Sequence, residues 1–203
     1  MTISPVTLNN RWVCLEPISP DHASALYDIG QDAQSWRFLP RPCFHSLTDT
    51  QEWIQDALKL ADKQQHITFV IKDRLRNRIA GSTRFLSIRP EHKGVEIGYT
   101  WLGAEFQRSH VNTATKLCLL HHAFDTLGCV RVELKTDARN LRSRQAIARI
   151  GATEEGHLRQ HMIVQNGHLR DSVMFSILNT EWPAIQQTLS HRLGSIPVSG
   201  VYP

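Results

Sequence analysis

The chain has 203 residues, of which 41% are hydrophobic and 21% charged, a composition that fits soluble globular protein and excludes disordered and fibrous chains. Its 23 Lys+Arg against 19 Asp+Glu leave +4, too small a surplus to point to a nucleic-acid backbone as partner, although a small anionic ligand suits it. No stretch reaches the roughly 18 to 20 consecutive apolar residues that cross a bilayer, and Met1-Thr2-Ile3-Ser4-Pro5 lacks the pattern of a secretory leader, so no membrane partner and a cytoplasmic location are expected.

In chain order, the first expected strand runs from Trp12 to Glu16. Ser19-Pro20-Asp21 then forms a cap with proline at the first helical position, ahead of a short helix carrying Leu26, Tyr27 and Ile29 and stopping at Gly30. A loop rich in aromatics and prolines (Trp36, Phe38, Pro40, Pro42, Phe44) leads to Thr48-x-x-Gln51, a capping box. Trp53, Ile54, Ala57, Leu58 and Ala61 follow at helical spacing, and that helix reaches about Asp62. Strands over Ile67–Lys72, Ile79–Ile88 and Val95–Leu102 follow closely enough for an antiparallel meander.

From about Thr113 a helix shows the apolar stripe Leu117, Leu120, Phe124 and Leu127, with Gly128 at its C-terminal cap. Val130, Val132 and Leu134 alternate with Arg131, Glu133 and Lys135 in a strand. Asn140 caps a helix over Leu141–Ile150 that stops at Gly151. Strands near His157–Val164 and Asp171–Leu178 are joined by the hairpin signal Asn166-Gly167, and a last helix covers Glu181–Leu193 with Thr180 as its cap. The fold class is mixed α/β, with residues 1–193 as a single domain and 194–203 as an apolar tail that either frays or packs on a second copy of the chain.

Metal and thiol chemistry are poorly supported. Cys14, Cys43, Cys118 and Cys129 are scattered with no CxxC pair, and Cys118 sits mid-helix without a His/Asp arrangement to activate it. His157 and His161 have chelating spacing only on a helix; four residues of strand span roughly 13 Å, too far for one ion. No metal is expected.

A helix start presents unpaired backbone N–H groups and the positive end of its dipole, so the loop Gln107-Arg108-Ser109-His110-Val111-Asn112-Thr113 has the geometry for a pyrophosphate; an ordinary strand-to-helix connection fits the same periodicity. The order of elements, together with EIGYTWL, QRSHVNTATKLCLLHHAF, VELKTDARNLRSRQAIARIGA and RDSVMFSILNTEWP, resembles the GCN5-related N-acetyltransferase (GNAT) superfamily in its RimJ/RimL-like branch, over roughly Trp12 to Leu189. The resemblance implies a mostly antiparallel twisted sheet of about seven strands, helices on both faces, and a splay between the fourth and fifth strands.

It also implies acetyl-CoA as co-substrate, bound by the pattern Gln/Arg-x-x-Gly-x-Gly/Ala. Gln107 to Asn112 falls on this pattern, with His110 and Asn112 in place of the two small residues; a requirement for positive φ at His110 would strain the backbone there. By the same resemblance Asn140 contacts the pantetheine arm. Ser143 donates a proton to the departing thiolate, Trp101 and Leu102 mark the splay, and Arg144 or Arg108 approaches the phosphates. Trp36, Arg37 and Phe38 border the acceptor. The local alternative is that Asn140 only caps the helix and Ser143 is an ordinary polar residue of its first turn.

An acceptor amine must lose a proton, and Glu96 is the chosen base. Strand alternation places Glu96, Gly98 and Thr100 on one face and Val95, Ile97, Tyr99 and Trp101 on the other; a solvated or salt-bridged glutamate is the alternative. The implied reaction is direct transfer to a primary amine, most simply a protein or peptide N-terminal α-amine. Polyamines, antibiotics and peptides to be detoxified are the other acceptor classes of the branch, and a CoA-binding sensor without turnover is the non-enzymatic reading. A homodimer is one assembly the tail allows.

Overall fold

The computed structural model describes residues 3–195. The tail expected over 194–203 therefore lies almost wholly outside the described residues. The strands are β1 (Leu8–Asn9), β2 (Val13–Pro17), β3 (Ile67–Asp73), β4 (Arg78–Arg89), β5 (Gly94–Leu102), β6 (Arg131–Asp137), β7 (Thr153–Val164) and β8 (His168–Leu178). They form one sheet in the order β1-β2-β3-β4-β5-β6-β8-β7, antiparallel at every step except β5 with β6. The eighth strand is the two-residue β1, too short to carry an alternation signal in sequence.

The helices are α1 (Ala23–Ile29), α2 (Ala33–Trp36), α3 (Leu47–Asp62), α4 (His110–His121), α5 (Leu141–Arg149) and α6 (Trp182–Gly194). The Ser19-Pro20-Asp21 signal opens a single 3₁₀ turn that leads into α1. The cap of α3 is Ser46, whose hydroxyl accepts from Asp49 N at 3.0 Å, two residues before the expected Thr48. Likewise α4 begins three residues before Thr113, with Ser109 as its cap, and runs into a wide π turn over His122–Thr126. Glu181, not Thr180, precedes α6, and its side chain makes no capping bond.

Each face of the sheet buries its own core. Alternation along β3 sends Ile67, Phe69 and Ile71 into a large cluster with Val111, Ala114, Leu119 and Leu189 from α4 and α6, while Val70 joins Leu26, Ile54 and Ala57 from α1 and α3 on the opposite face. Burial of these side chains, each contributing roughly 1.5–3 kcal/mol, holds the helices on the sheet. On the face away from α4, β6 carries Arg131, Glu133 and Lys135 and β8 carries Arg170, Ser172 and Ser176.

Candidate functional site

The site begins where two neighbouring strands part. β5 and β6 pair only through Gly94, Val95 and Glu96 against Arg131, Val132 and Glu133. Beyond that point β5 stays with β4 and β6 stays with β8, so a wedge opens between them. The opening lies beyond the last pair, Glu96 with Glu133. A cavity of about 600 Å³ fills the wedge, walled by Glu96–Leu102 of β5, Leu134–Thr136 of β6, the start of α4, α5 and the 34–40 loop. A free strand edge of this kind offers backbone N–H and C=O groups to an extended ligand.

Two β-bulges set the orientation of the β5 wall. Between Gly98 and Trp101, β5 has one more residue than β4 has between Arg84 and Ser82, and the extra residue, Tyr99, has φ +50°. The faces therefore exchange part-way along the strand. Val95 and Ile97 point into the α4-side core and Leu102 does too, whereas Trp101 joins the opposite core. Thr100 faces α4, where its hydroxyl meets Lys116 Nζ at 2.8 Å. Simple alternation fails here: Trp101 does not share the face of Val95 and Ile97, and Thr100 does not share that of Glu96.

The second bulge is at Ser87 (φ +48°) on β4, opposite Glu96. It brings Ser87 Oγ to donate to Glu96 Oε2 at 3.1 Å, and Lys135 Nζ of β6 donates to the same oxygen at 2.9 Å. Glu96 is 3% exposed and lines the cavity at the root of the wedge. The salt-bridged alternative is therefore realised in a carboxylate that still borders the open space. Gly98 leaves it room, because a Cβ there would sit 3.0 Å from Glu96 Oε1 and Leu86 Cδ2 and press on both.

At the other end, α4 points its N-terminus at the cavity. Ser109 Oγ accepts from Val111 N at 3.3 Å and donates to Phe106 O at 2.6 Å, fixing the turn into the helix. The left-handed residue of this loop is Arg108 (φ +56°), while His110 is ordinary helix. Gln107 ties the mouth together: its Nε2 donates to Ser35 Oγ at 2.7 Å and Leu102 O at 3.0 Å, and its Oε1 accepts from Arg142 Nη1 at 2.7 Å. Arg108, Arg142 and Arg149 line the cavity near these amides, an electropositive setting suited to phosphate groups.

On α5, Asn140 Oδ1 accepts from Ser143 N at 3.0 Å, which leaves the Ser143 hydroxyl outside the cap, on the cavity wall. Among the described residues that hydroxyl makes no hydrogen bond within the chain.

Of the residues singled out in the sequence, the cavity brings together Glu96, Ser143, Trp101, Leu102, Gln107, Arg108, Ser109, Asn112, Thr113, Asn140, Arg37 and Phe38. The side chains of four others lie elsewhere. His110 turns behind the loop to bond Asp73 Oδ1 at 3.1 Å and pack against Trp12, because the first helical turn points it toward β3. Val111 is core. Arg144 is one helical position past the cavity and pairs with Glu154 at 3.2 Å. Trp36 is buried against Trp101 and Phe44, supporting the wall from behind.

Sequence reading missed Lys116, Lys135 and Arg170, whose side chains are largely buried in the cavity wall, and the more exposed Arg139, Arg142 and Arg149 that also line it. A single basic residue in a helix or strand reads as solvent-exposed, so only the fold reveals them. Lys116 is 5% exposed with Thr100 as its hydrogen-bond partner, and burial pushes its pKa down to about 7. Burial also pushes the Cys118 thiol up to about 12, which leaves it protonated and unsuited to nucleophilic attack.

Comparison with known proteins agrees with this geometry. Residues 13–153 match the family model described as "Acetyltransferase (GNAT) domain". YdaF of Bacillus subtilis (strain 168), provisionally named a ribosomal N-acetyltransferase, is 37% identical over 91 residues, 45% of this chain; the match spans about half, 49%, of that relative. A crystal structure of a provisionally assigned acetyltransferase from T. thermophilus superposes with a TM-score of 0.86 at 32% identity, covering 95% of this chain and 100% of the other. Mycobacterium smegmatis RimJ, solved in complex with CoA-disulfide, shares the fold with a TM-score of 0.81 at 22% identity, covering 93% and 95% of the two chains.

Proposed function

The chain belongs to the GNAT acetyltransferase family and is an acyltransferase, and from that membership we propose that it moves an acetyl group from acetyl-CoA to the N-terminal α-amine of a protein or peptide. One observation carries the proposal: a single cavity runs from the N-terminal amides of α4, along the unpaired edge of β5, to Glu96, with Ser143 on the α5 wall. The residues fit acetyl-CoA. The α4 amides, Arg108 and Arg142 would hold the pyrophosphate, and the β5 edge with Asn140 would hold the pantetheine arm. Bound there, acetyl-CoA supplies an activated thioester.

Glu96 accepts the acceptor's proton, directly or through one water, so that the amine is neutral when it attacks. Lys135 and Ser87 hold the carboxylate at the root of the wedge, and their bonds to Oε2 fix its orientation. Ser143 supplies a proton to the leaving sulfur. No covalent enzyme intermediate is required, in keeping with the protonated state of Cys118. YdaF's provisional name as a ribosomal N-acetyltransferase supports an α-amine on a protein as the acceptor.

The test is an acceptor screen with acetyl-CoA and release of free CoA as the readout, across ribosomal proteins, short peptides, polyamines and aminoglycosides. Turnover on peptides or proteins, blocked by prior N-terminal formylation, is the expected result. Turnover confined to small polyamines or antibiotics would overturn the acceptor assignment, and acetyl-CoA binding without any turnover would overturn the enzymatic one.

A further inference from the structure

The charge arrangement of the acceptor wall leaves one cation unanswered. Alternation along β8 sends Val173, Phe175 and Ile177 into the α4-side core, which places Arg170 and Ser172 on the opposite face, with Glu96. Arg170 lines the cavity yet is only 5% exposed. Its Nε is buried without a partner, and its guanidinium forms no hydrogen bond or ion pair among the described residues.

Two carboxylates lie near enough to attract it, Asp137 and Glu96, and both are already engaged. Arg139 binds Asp137 through Nε at 2.9 Å and Nη2 at 2.7 Å, and Lys135 holds Glu96. Arg37 and Arg139 add further positive charge around Phe38, their guanidinium carbons 5.2 and 5.7 Å from its ring centre. A buried guanidinium that touches no carboxylate directly is expensive to maintain, and a planar fork of donors matches a carboxylate. The phosphates of the co-substrate belong at the α4 end, so the missing anion is expected from the acceptor.

We propose that Arg170 receives a carboxylate of the acceptor, so that this chain selects amines bearing an acidic group close to the reacting nitrogen, such as peptides with Asp or Glu among their first residues. The inference rests on the reading of this cavity as an acetyl-CoA-dependent amine site.

The experiment compares peptides identical except for Glu against Gln, or Asp against Asn, at each of the first three positions, with phosphoserine against serine as a separate pair. Both kcat/KM and the dissociation constant on the CoA-saturated chain are measured, for the wild type, Arg170→Gln and Arg170→Lys. The acidic peptide should be favoured at one position by roughly tenfold or more, as expected when a carboxylate pairs with a buried guanidinium. Arg170→Gln should erase that ratio while leaving acetyl-CoA binding nearly unchanged, and Arg170→Lys should keep part of it.

Equal handling of acid and amide by the wild type would overturn the proposal. A preference for phosphoserine alone would overturn the choice of carboxylate. Loss of acetyl-CoA binding in the folded Arg170→Lys variant would assign the arginine to the co-substrate instead. If no peptide is acetylated, the binding ratio still decides the role of Arg170, and only the acyl-transfer reading falls.

Discussion

Lys116 Nζ donates to Thr100 Oγ1 at 2.8 Å inside the α4 wall, and Thr83 Oγ1 lies 2.8 Å from the same hydroxyl. Burial lowers the folded pKa of this lysine from 10.5 to about 7. Below pH 7 the folded and unfolded chains both carry the proton, and the cost of burying the charge is fully present. Between 7 and 10.5 the unfolded chain binds more protons than the folded one, so stability rises with pH. Lys116→Met should therefore stabilise the protein more at pH 6 than at pH 9.5, with a difference of roughly 3 kcal/mol between the two. Urea denaturation at the two pH values measures this; a pH-independent difference would mean the lysine is not buried as a charge.

Glu96→Gln keeps the shape of the side chain and its place between Ser87 and Lys135 but removes the base. Turnover should fall by about 10²- to 10⁴-fold, with the dissociation constant for acetyl-CoA changed by less than about threefold. Steady-state kinetics and calorimetric titration separate the two quantities. A variant with near-normal kcat would assign proton removal to water alone.

Asn140 and Ser143 share one capping bond but lend different atoms to it. Asn140→Ala removes the acceptor and should cost about 0.5–2 kcal/mol of stability. Ser143→Ala retains the N–H that the cap uses, so its melting temperature should stay close to that of the parent while kcat falls by roughly 10- to 100-fold. Equal losses of stability in the two variants would make Ser143 structural.

His110→Ala strips a partner from Asp73, which is fully buried, and should destabilise the fold by about 1–3 kcal/mol. Acetyl-CoA affinity measured below the melting transition should persist, because the His110 side chain lies behind the loop and the α4 amides remain. A selective loss of affinity in a stably folded His110→Ala protein would place the imidazole in the binding site.

Periodic features were the ones legible in the sequence. Asn166 (φ +59°) and Gly167 (φ +71°) form the expected hairpin turn, and Asn140 caps α5 as its position implied. The order of most strands and helices followed the same signals, whereas the parting of β5 and β6 that creates the cavity was implied by the family resemblance and not by periodicity. What escaped was local breakage of period and the fate of isolated charges. Ser87 and Tyr99 adopt left-handed backbone without being glycine, so nothing in their identity announces the bulges. Arg170 and Lys116 owe their burial to strands and helices distant in sequence, and Arg144 missed the cavity by a single rotation around α5 that spacing alone could not resolve.

The extra residue at Tyr99 works as a change of phase within one strand. Before it, odd-numbered side chains serve the α4-side core; after it, even-numbered ones do, so β5 presents a carboxylate and an indole to one compartment and Thr100 to the other. No regular strand could make that assignment with these residues in this order. With Tyr99 pleated as an ordinary strand residue, the Trp101 ring would turn toward Lys116 and Thr100 toward the space that Trp36 and Phe44 now share with the indole; deleting Tyr99 outright would restore plain alternation with both in place. The two faces of β5 thus keep distinct chemistry across a counting defect, and the division of labour along the strand depends on the bulge that absorbs Tyr99 more than on any side chain there.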